Sequence, residues 1–163
     1  MAALTAPFDV GIKPGDEIRV KMAAVKIYQG GAVGVIIGTG YATPLVVATA
    51  GMKFIGVAEE TVDNSAGSAG DKWIRVKVRG IVAFDTTGTV TVAQIGVGMF
   101  FTDYDHVVQT TATAIPAGEL KTVGSDGVAW VDISLATSSV LFFNPTDNKI
   151  YAQGYAIKSA ALS

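Results

Sequence analysis

The chain has no cysteine and a single histidine in 163 residues. Disulfides, iron–sulfur clusters, cysteine zinc sites and thiol nucleophiles are therefore excluded, and synthesis in a reducing cytoplasm fits. Charge is scarce as well, at 16% of residues, against roughly a quarter in an ordinary soluble domain. Mean hydropathy is +0.44. So few charges solvate a free surface poorly, and part of the apolar excess is expected to be buried against other subunits. A net charge of −2 leaves no basic footprint, so direct binding of nucleic acid is not expected. Long apolar runs are missing too. Thr49, Lys53, Glu59 and several glycines interrupt the most hydrophobic stretch, so no membrane span is expected. The first residues also lack the cationic start and apolar segment of a secretory signal.

Glycine and β-branched residues are what the chain does have. Ile74, Val76 and Val78 alternate with Arg75, Lys77 and Arg79, as a half-buried strand requires. Thr89 to Ala93 repeats that alternation after Asp85-Thr86-Thr87-Gly88, which suits a tight turn. Ser125-Asp126-Gly127 predicts a type I′ turn leading into a strand from Val128 to Ile133. Ile18, Val20 and Met22 alternate in one phase and Val25 and Ile27 in the other, which predicts a bulge near Ala23 and Ala24. Gly30, Gly31, Gly34, Gly38 and Gly40 suit turns and close strand approach better than a helix. No helical periodicity exceeds two turns, so the chain reads as all-β, a small β-barrel or β-sandwich with an extended N-terminal arm.

The organisation follows from where the pattern weakens. Residues 1–16, with Pro7 and Pro14, read as the arm, and residues 17–134 as the core. Residues 135–163 read as C-terminal strands that complete the sheet or contact a neighbour, with one strand on each side of a turn over residues 144–148. No internal repeat of fixed period stands out.

Four stretches carry a family likeness: GVAEE at residues 56–60, GDKWIRVKVRGIVAF at 70–84, IGVGMFFTDYD at 95–105 and GELKTVGSDGVAWVDI at 118–133. In order and character they resemble the small decoration, or cement, proteins that tailed bacteriophages attach to the outside of their heads. The likeness runs from Lys26 to Ser134, about two thirds of the chain by inspection. It implies a structural virion protein on the outer surface of the capsid, made in the host cytoplasm. It also implies a homotrimer seated where several subunits of the major capsid protein meet. Candidate capsid or subunit contacts are Pro7 and Phe8 in the arm, Trp73 as an anchor at a strand entrance, and the basic stripe Arg75, Lys77 and Arg79. The same stripe also reads as a solvated face paired with acids such as Glu59, Glu60 or Asp63. Trp130, inside a strand, reads as core.

Catalytic chemistry finds no support in these residues. His106 follows Asp103-Tyr104-Asp105, but on a strand the two acids would share a face and the histidine would point away, so a loop capping a hairpin is the better reading. No Gly-x-Ser-x-Gly elbow is present, and Gly67 to Lys72 lacks the spacing and following helix of a phosphate loop. The expectation is a protein that is not an enzyme, with no cofactor and no metal. Two alternatives stay open. One is a head-fibre base or tail-associated β-domain. The other is a carbohydrate-binding β-sandwich, for which Tyr151 and Tyr155, four apart on one expected strand, would share a face.

Overall fold

Apolar and polar residues alternate in many of the regular stretches, and the regular structure of the described residues is almost entirely strand. The computed structural model describes residues 15–108 and 115–134, together with the backbone of residues 141–144, 149–152 and 155–157. Pro7, Phe8 and all but the last two positions of the expected arm lie outside the described residues. In chain order the strands are β1 (Glu17–Lys21), β2 (Lys26–Ile27), β3 (Ala32–Ile36), β4 (Ala42–Pro44), β5 (Met52–Ala58), β6 (Val62–Asp63) and β7 (Trp73–Lys77). They continue as β8 (Ile81–Thr86), β9 (Gly98–Phe101), β10 (His106–Val108), β11 (Ile115–Val123) and β12 (Ala129–Asp132). Among the described residues the only helical feature is a 3-10 turn, Val92–Gln94. The fold is all-β, with a small closed barrel, as the pattern predicts.

The first half is a five-stranded antiparallel sheet in the order β1-β7-β5-β3-β4. It curls until Met22, just past β1, forms a parallel bridge with Ala42 of β4. The Ala23 N–H then donates to the Ala42 carbonyl at 2.9 Å. Inside the curl lie Met22, Val33, Ala42, Ala58, Ile74 and Val76, all buried, joined by Ile27 from the β2–β6 ribbon. Burying apolar side chains contributes about 25 cal/mol per Å² removed from water, so this inner face holds the sheet in its curl.

The second half closes fully, in the order β10-β8-β12-β11-β9. Only the β8–β10 pair is parallel. Phe84, Met99, Phe101, Leu120 and Val131 are buried in it. The outer face of β3 and β5 packs on this barrel, since Ala32, Met52, Phe54 and Val57 belong to the same apolar cluster. Phe101 is the hinge pin of that packing: its ring lies 4.8 Å from Phe54 and 5.2 Å from Phe84, edge-on to the latter. Both faces of β5 and β9 are therefore covered, which explains why their sequences read as nearly continuous apolar runs.

The two halves share one plan. Strands β1, β3, β4, β5 and β7 correspond in order to β8, β9, β10, β11 and β12, and each set has the same neighbours. The register agrees to the residue. Val33 pairs with Gly56 and Gly34 with Phe54, skipping Ile55; Met99 pairs with Gly118 and Phe100 with Pro116, skipping Ala117. The Met22–Ala42 bridge matches the Thr86–Val107 pair. Hydrogen bonds outside the ladders repeat as well. Gly30 N–H donates to the Ala58 carbonyl as Gly96 N–H does to that of Leu120, and Val78 N–H to Asp16 as Ile133 N–H to Gly80. A Cβ at Gly56 would collide with the Lys77 carbonyl and Val76, and one at Gly118 with the Asp132 carbonyl and Val131. Both glycines have φ near the far left-handed edge, 144° and 141°, where other residues are strained.

Several local expectations are corrected. Between β1 and β2 the chain makes a turn, with Val25 N–H donating to the Ala23 carbonyl, in place of a bulge. That turn lets β2 leave the sheet and pair with β6. Residues 89–93 do not form a strand, because the Gln94 side chain accepts from Thr91 N–H at 2.6 Å and starts the 3-10 turn. The β11–β12 loop is not type I′. Gly127 N–H donates to Gly124 and Gly124 N–H to Val128, with Gly127 left-handed at φ 84°, the pattern of a three-residue loop ending in a bulge. Beyond the barrel, β13 (Leu141–Asn144), β14 (Lys149–Ala152) and β15 (Tyr155–Ile157) pair in a sheet of their own. Tyr151 and Tyr155 therefore fall on two strands, not one, and the four-apart argument for a shared face is lost.

Candidate interaction surface

Strand β7 carries three of the six predicted contact residues, Trp73, Arg75 and Lys77, and holds them by simple alternation. Ile74 and Val76 are fully buried inside the curl, so Trp73, Arg75 and Lys77 face outward. Pairing with β1 sets Arg19 opposite Arg75, Glu17 opposite Lys77 and Lys21 opposite Trp73. Trp73 is 52% exposed, with the Lys21 ammonium 5.5 Å from its ring centroid, a cation–π contact. Arg75 is tied down: its Nε lies 3.4 Å from Glu60 Oε1, which also accepts from the Arg75 backbone N–H at 3.1 Å. The pairing of Arg75 with an acid, one of the two readings of the stripe, is thus present at Glu60. Arg79 lies beyond the end of β7, exposed beside Gly15. The expected stripe is therefore Arg75 and Lys77 on the strand, joined by Arg19 and Lys21 from β1, with Arg79 apart.

Trp130 is not core. It is 41% exposed, because Ala129 and Val131 take the inward positions of β12 and alternation turns the indole out. It sits opposite Ala83 and Thr122, with Ile81 opposite Asp132 on the same outer wall. Ser134 donates to Asp132 from its hydroxyl and from its backbone at 3.0 Å, which holds the carboxyl below its usual range. Lys121 bonds Glu119 at 2.7 Å, and that bond raises the ammonium.

Residues 102–105 form the loop between β9 and β10, so the two acids cap a hairpin as expected, while His106 opens β10 and pairs with Asp85 of β8. Asp103 accepts from Tyr104 N–H at 2.7 Å, and Asp105 pairs with His106 Nδ1 at 2.5 Å. Among the described residues no three metal-ligating side chains converge. Nor is any described helix long and apolar enough to cross a membrane.

A feature that sequence reading missed is a cleft of about 170 Å³ lined by Lys26, Ile27, Tyr28, Gly31, Pro44 and Tyr104. Tyr28 is 60% exposed, with the Lys26 ammonium 4.7 Å from its ring centroid. Tyr104 reaches it from the barrel's β9–β10 loop, where its carbonyl accepts from Ala32 N–H at 2.7 Å. No local signal brings residues 28 and 104 together; only the packing of the two halves does. Compared with known proteins, the chain matches no family model, no curated protein and no solved structure.

Proposed function

We propose that the protein is a non-enzymatic structural component of a phage head, a trimeric decoration protein that binds the outside of the assembled shell and stabilises it. The observation that supports this most is the surface itself. Trp73, Trp130, Ile81 and Tyr28 stand about half exposed on or beside strands, where their large apolar groups are open to a partner. Such groups are what a docking surface uses as anchors. The physical mechanism is linkage: a protein that binds only the assembled lattice adds its binding free energy to whatever is needed to break that lattice.

The test is the copy number of this chain relative to the major capsid protein in purified virions, by quantitative mass spectrometry. A ratio near one is the expected result. A ratio of a few per cent would transfer the protein to a head fibre or the tail, and absence from particles would overturn the virion reading. The Tyr28–Tyr104 cleft favours a second reading, carbohydrate binding, because two exposed tyrosines flanking an apolar slot suit a sugar face. A glycan array that finds no binder disposes of it.

A further inference from the structure

Because the two halves correspond strand for strand in order and register, their outer faces can be compared position by position. On the curled sheet the outer face of β1 and β7 presents Glu17, Arg19, Lys21, Trp73, Arg75 and Lys77, with Val128 at the position on the barrel that matches Trp73. The equivalent positions on β8 and β12 are Ile81, Ala83, Asp85, Trp130 and Asp132. Lys21 is replaced by Asp85 and Lys77 by Asp132, so the charge is reversed at both, while Arg75 gives way to Trp130 and Glu17 to Ile81. One face is cationic beside the exposed Trp73 and the other is acidic around the exposed Trp130. Both are open: Arg19, Lys21, Asp85, Ile81 and Trp130 are all exposed. Arg19, Lys21, Lys77 and Asp85 form no ion pair among the described residues. On the sheet face Arg19 stands directly opposite Arg75, and like charges so placed repel, an effect that the Glu60 carboxylate 3.4 Å from Arg75 offsets only in part.

We infer that copies of this chain associate head to tail, the cationic β1–β7 face of one copy docking on the acidic, aromatic β8–β12 face of the next. Such a contact sets guanidinium groups against the Trp130 indole and ammonium groups against Asp85 and Asp132, which relieves the Arg19–Arg75 repulsion and covers Trp130 and Ile81. It is heterologous, because each copy uses two different surfaces, so it generates a closed ring when the rotation closes. Only its stoichiometry rests on the trimeric reading proposed above. The surfaces themselves are argued from this chain alone.

The experiment is sedimentation velocity on the purified full chain, with no shell protein present. Reversible association is expected at about 0.05 M salt, and it should weaken markedly at about 1 M, where exposed charges are screened beyond about 3 Å. Lys21→Asp and Asp85→Lys, both at exposed positions, should each weaken association about tenfold or more. Combining both changes in one chain should restore it, because the charge reversed on each copy then meets the charge reversed on the next at every contact. Trp130→Ala should weaken it about thirtyfold with the circular dichroism spectrum unchanged. A wild-type chain that stays monomeric at about 100 μM in low salt would overturn the proposal. So would single variants that associate like wild type, or a double variant that does not recover. Since no shell is involved, failure here leaves occupancy on virions as a separate question, and failure on virions leaves this contact standing.

Discussion

The curled sheet and the closed barrel are one five-stranded plan filled in two ways. At equivalent positions the barrel has Phe84 for Val20, Met99 for Val33, Phe101 for Val35 and Leu120 for Ala58, partly offset by Ala129 for Ile74 and Ala117 for Ile55. Its large side chains come from its own strands, and it closes through a paired β8–β10 ladder. The sheet has smaller ones, closes by a single bridge and takes Ile27 and Val62 from the β2–β6 ribbon to complete its interior. Asn64 fastens the loop after that ribbon, its amide donating to the Ala23 and Ser68 carbonyls at 3.0 and 2.9 Å. What stays constant is the bulge, the glycine after it and the valine that glycine packs against. Backbone geometry is conserved between the halves where contact is closest, while core volume is supplied by whichever residues reach it.

The comparison breaks most severely at the residue that joins the halves. Phe101→Ala removes a ring that touches both Phe54 and Phe84, and is expected to cost about 3–5 kcal/mol in chemical denaturation. A single cooperative transition, shifted as a whole, shows that the halves fold as one unit; a split transition would show that they do not. Next come Gly56→Ala and Gly118→Ala. Each puts a methyl into a neighbouring carbonyl at strongly positive φ, and each is expected to cost about 1–3 kcal/mol. The two losses should be alike. A loss at one glycine only would end the equivalence of the bulges. Asn64→Ala sharpens the contrast, because the barrel has no counterpart to that loop. Losing two buried hydrogen bonds should cost about 1–2 kcal/mol, and hydrogen exchange should rise in residues 59–72 with the barrel amides unmoved.

Fold class was legible because alternation is a local signal: β7 and β12 keep it from end to end, and their glycine-bounded turns stand beside them. The shared plan was not. The separation between equivalent residues differs from strand to strand, as Gly30 to Gly96 and Val76 to Val131 illustrate, so no fixed period exists to find. Only the residues under the tightest constraint are identical in the two halves. The interaction surface was half legible for the same reason. Arg75 and Lys77 announce an outer face by alternating with Ile74 and Val76, but Arg19 and Lys21 join it only through the β1–β7 register. Trp130 reads as core from its place inside a strand, yet the inward positions belong to its neighbours Ala129 and Val131, small as they are. They suffice because Phe84, Phe101 and Leu120 arrive from other strands.

The smallest expected effect concerns the charge reversal between Lys77 and Asp132. Hydrogen bonds from Ser134 depress the Asp132 carboxyl in the folded state, so the folded chain releases that proton more readily than the unfolded one does. The resulting stabilisation is fully present above the unfolded carboxyl value, about 3.9, and disappears as pH falls through the depressed folded value. Asp132→Asn should therefore flatten the acid limb of the stability profile slightly, below about pH 4, and leave neutral pH dependence unchanged. Lys77→Asn, at the matching position of the sheet, should leave the acid limb as it is. Carboxyl chemical shifts followed by NMR titration check the premise directly: Asp132 must titrate below an ordinary aspartate. An ordinary value would mean that the Ser134 bonds are not kept in solution, while the Asp132 carboxylate, still ionised at neutral pH, would keep the charge that distinguishes the outer wall of the barrel from the sheet.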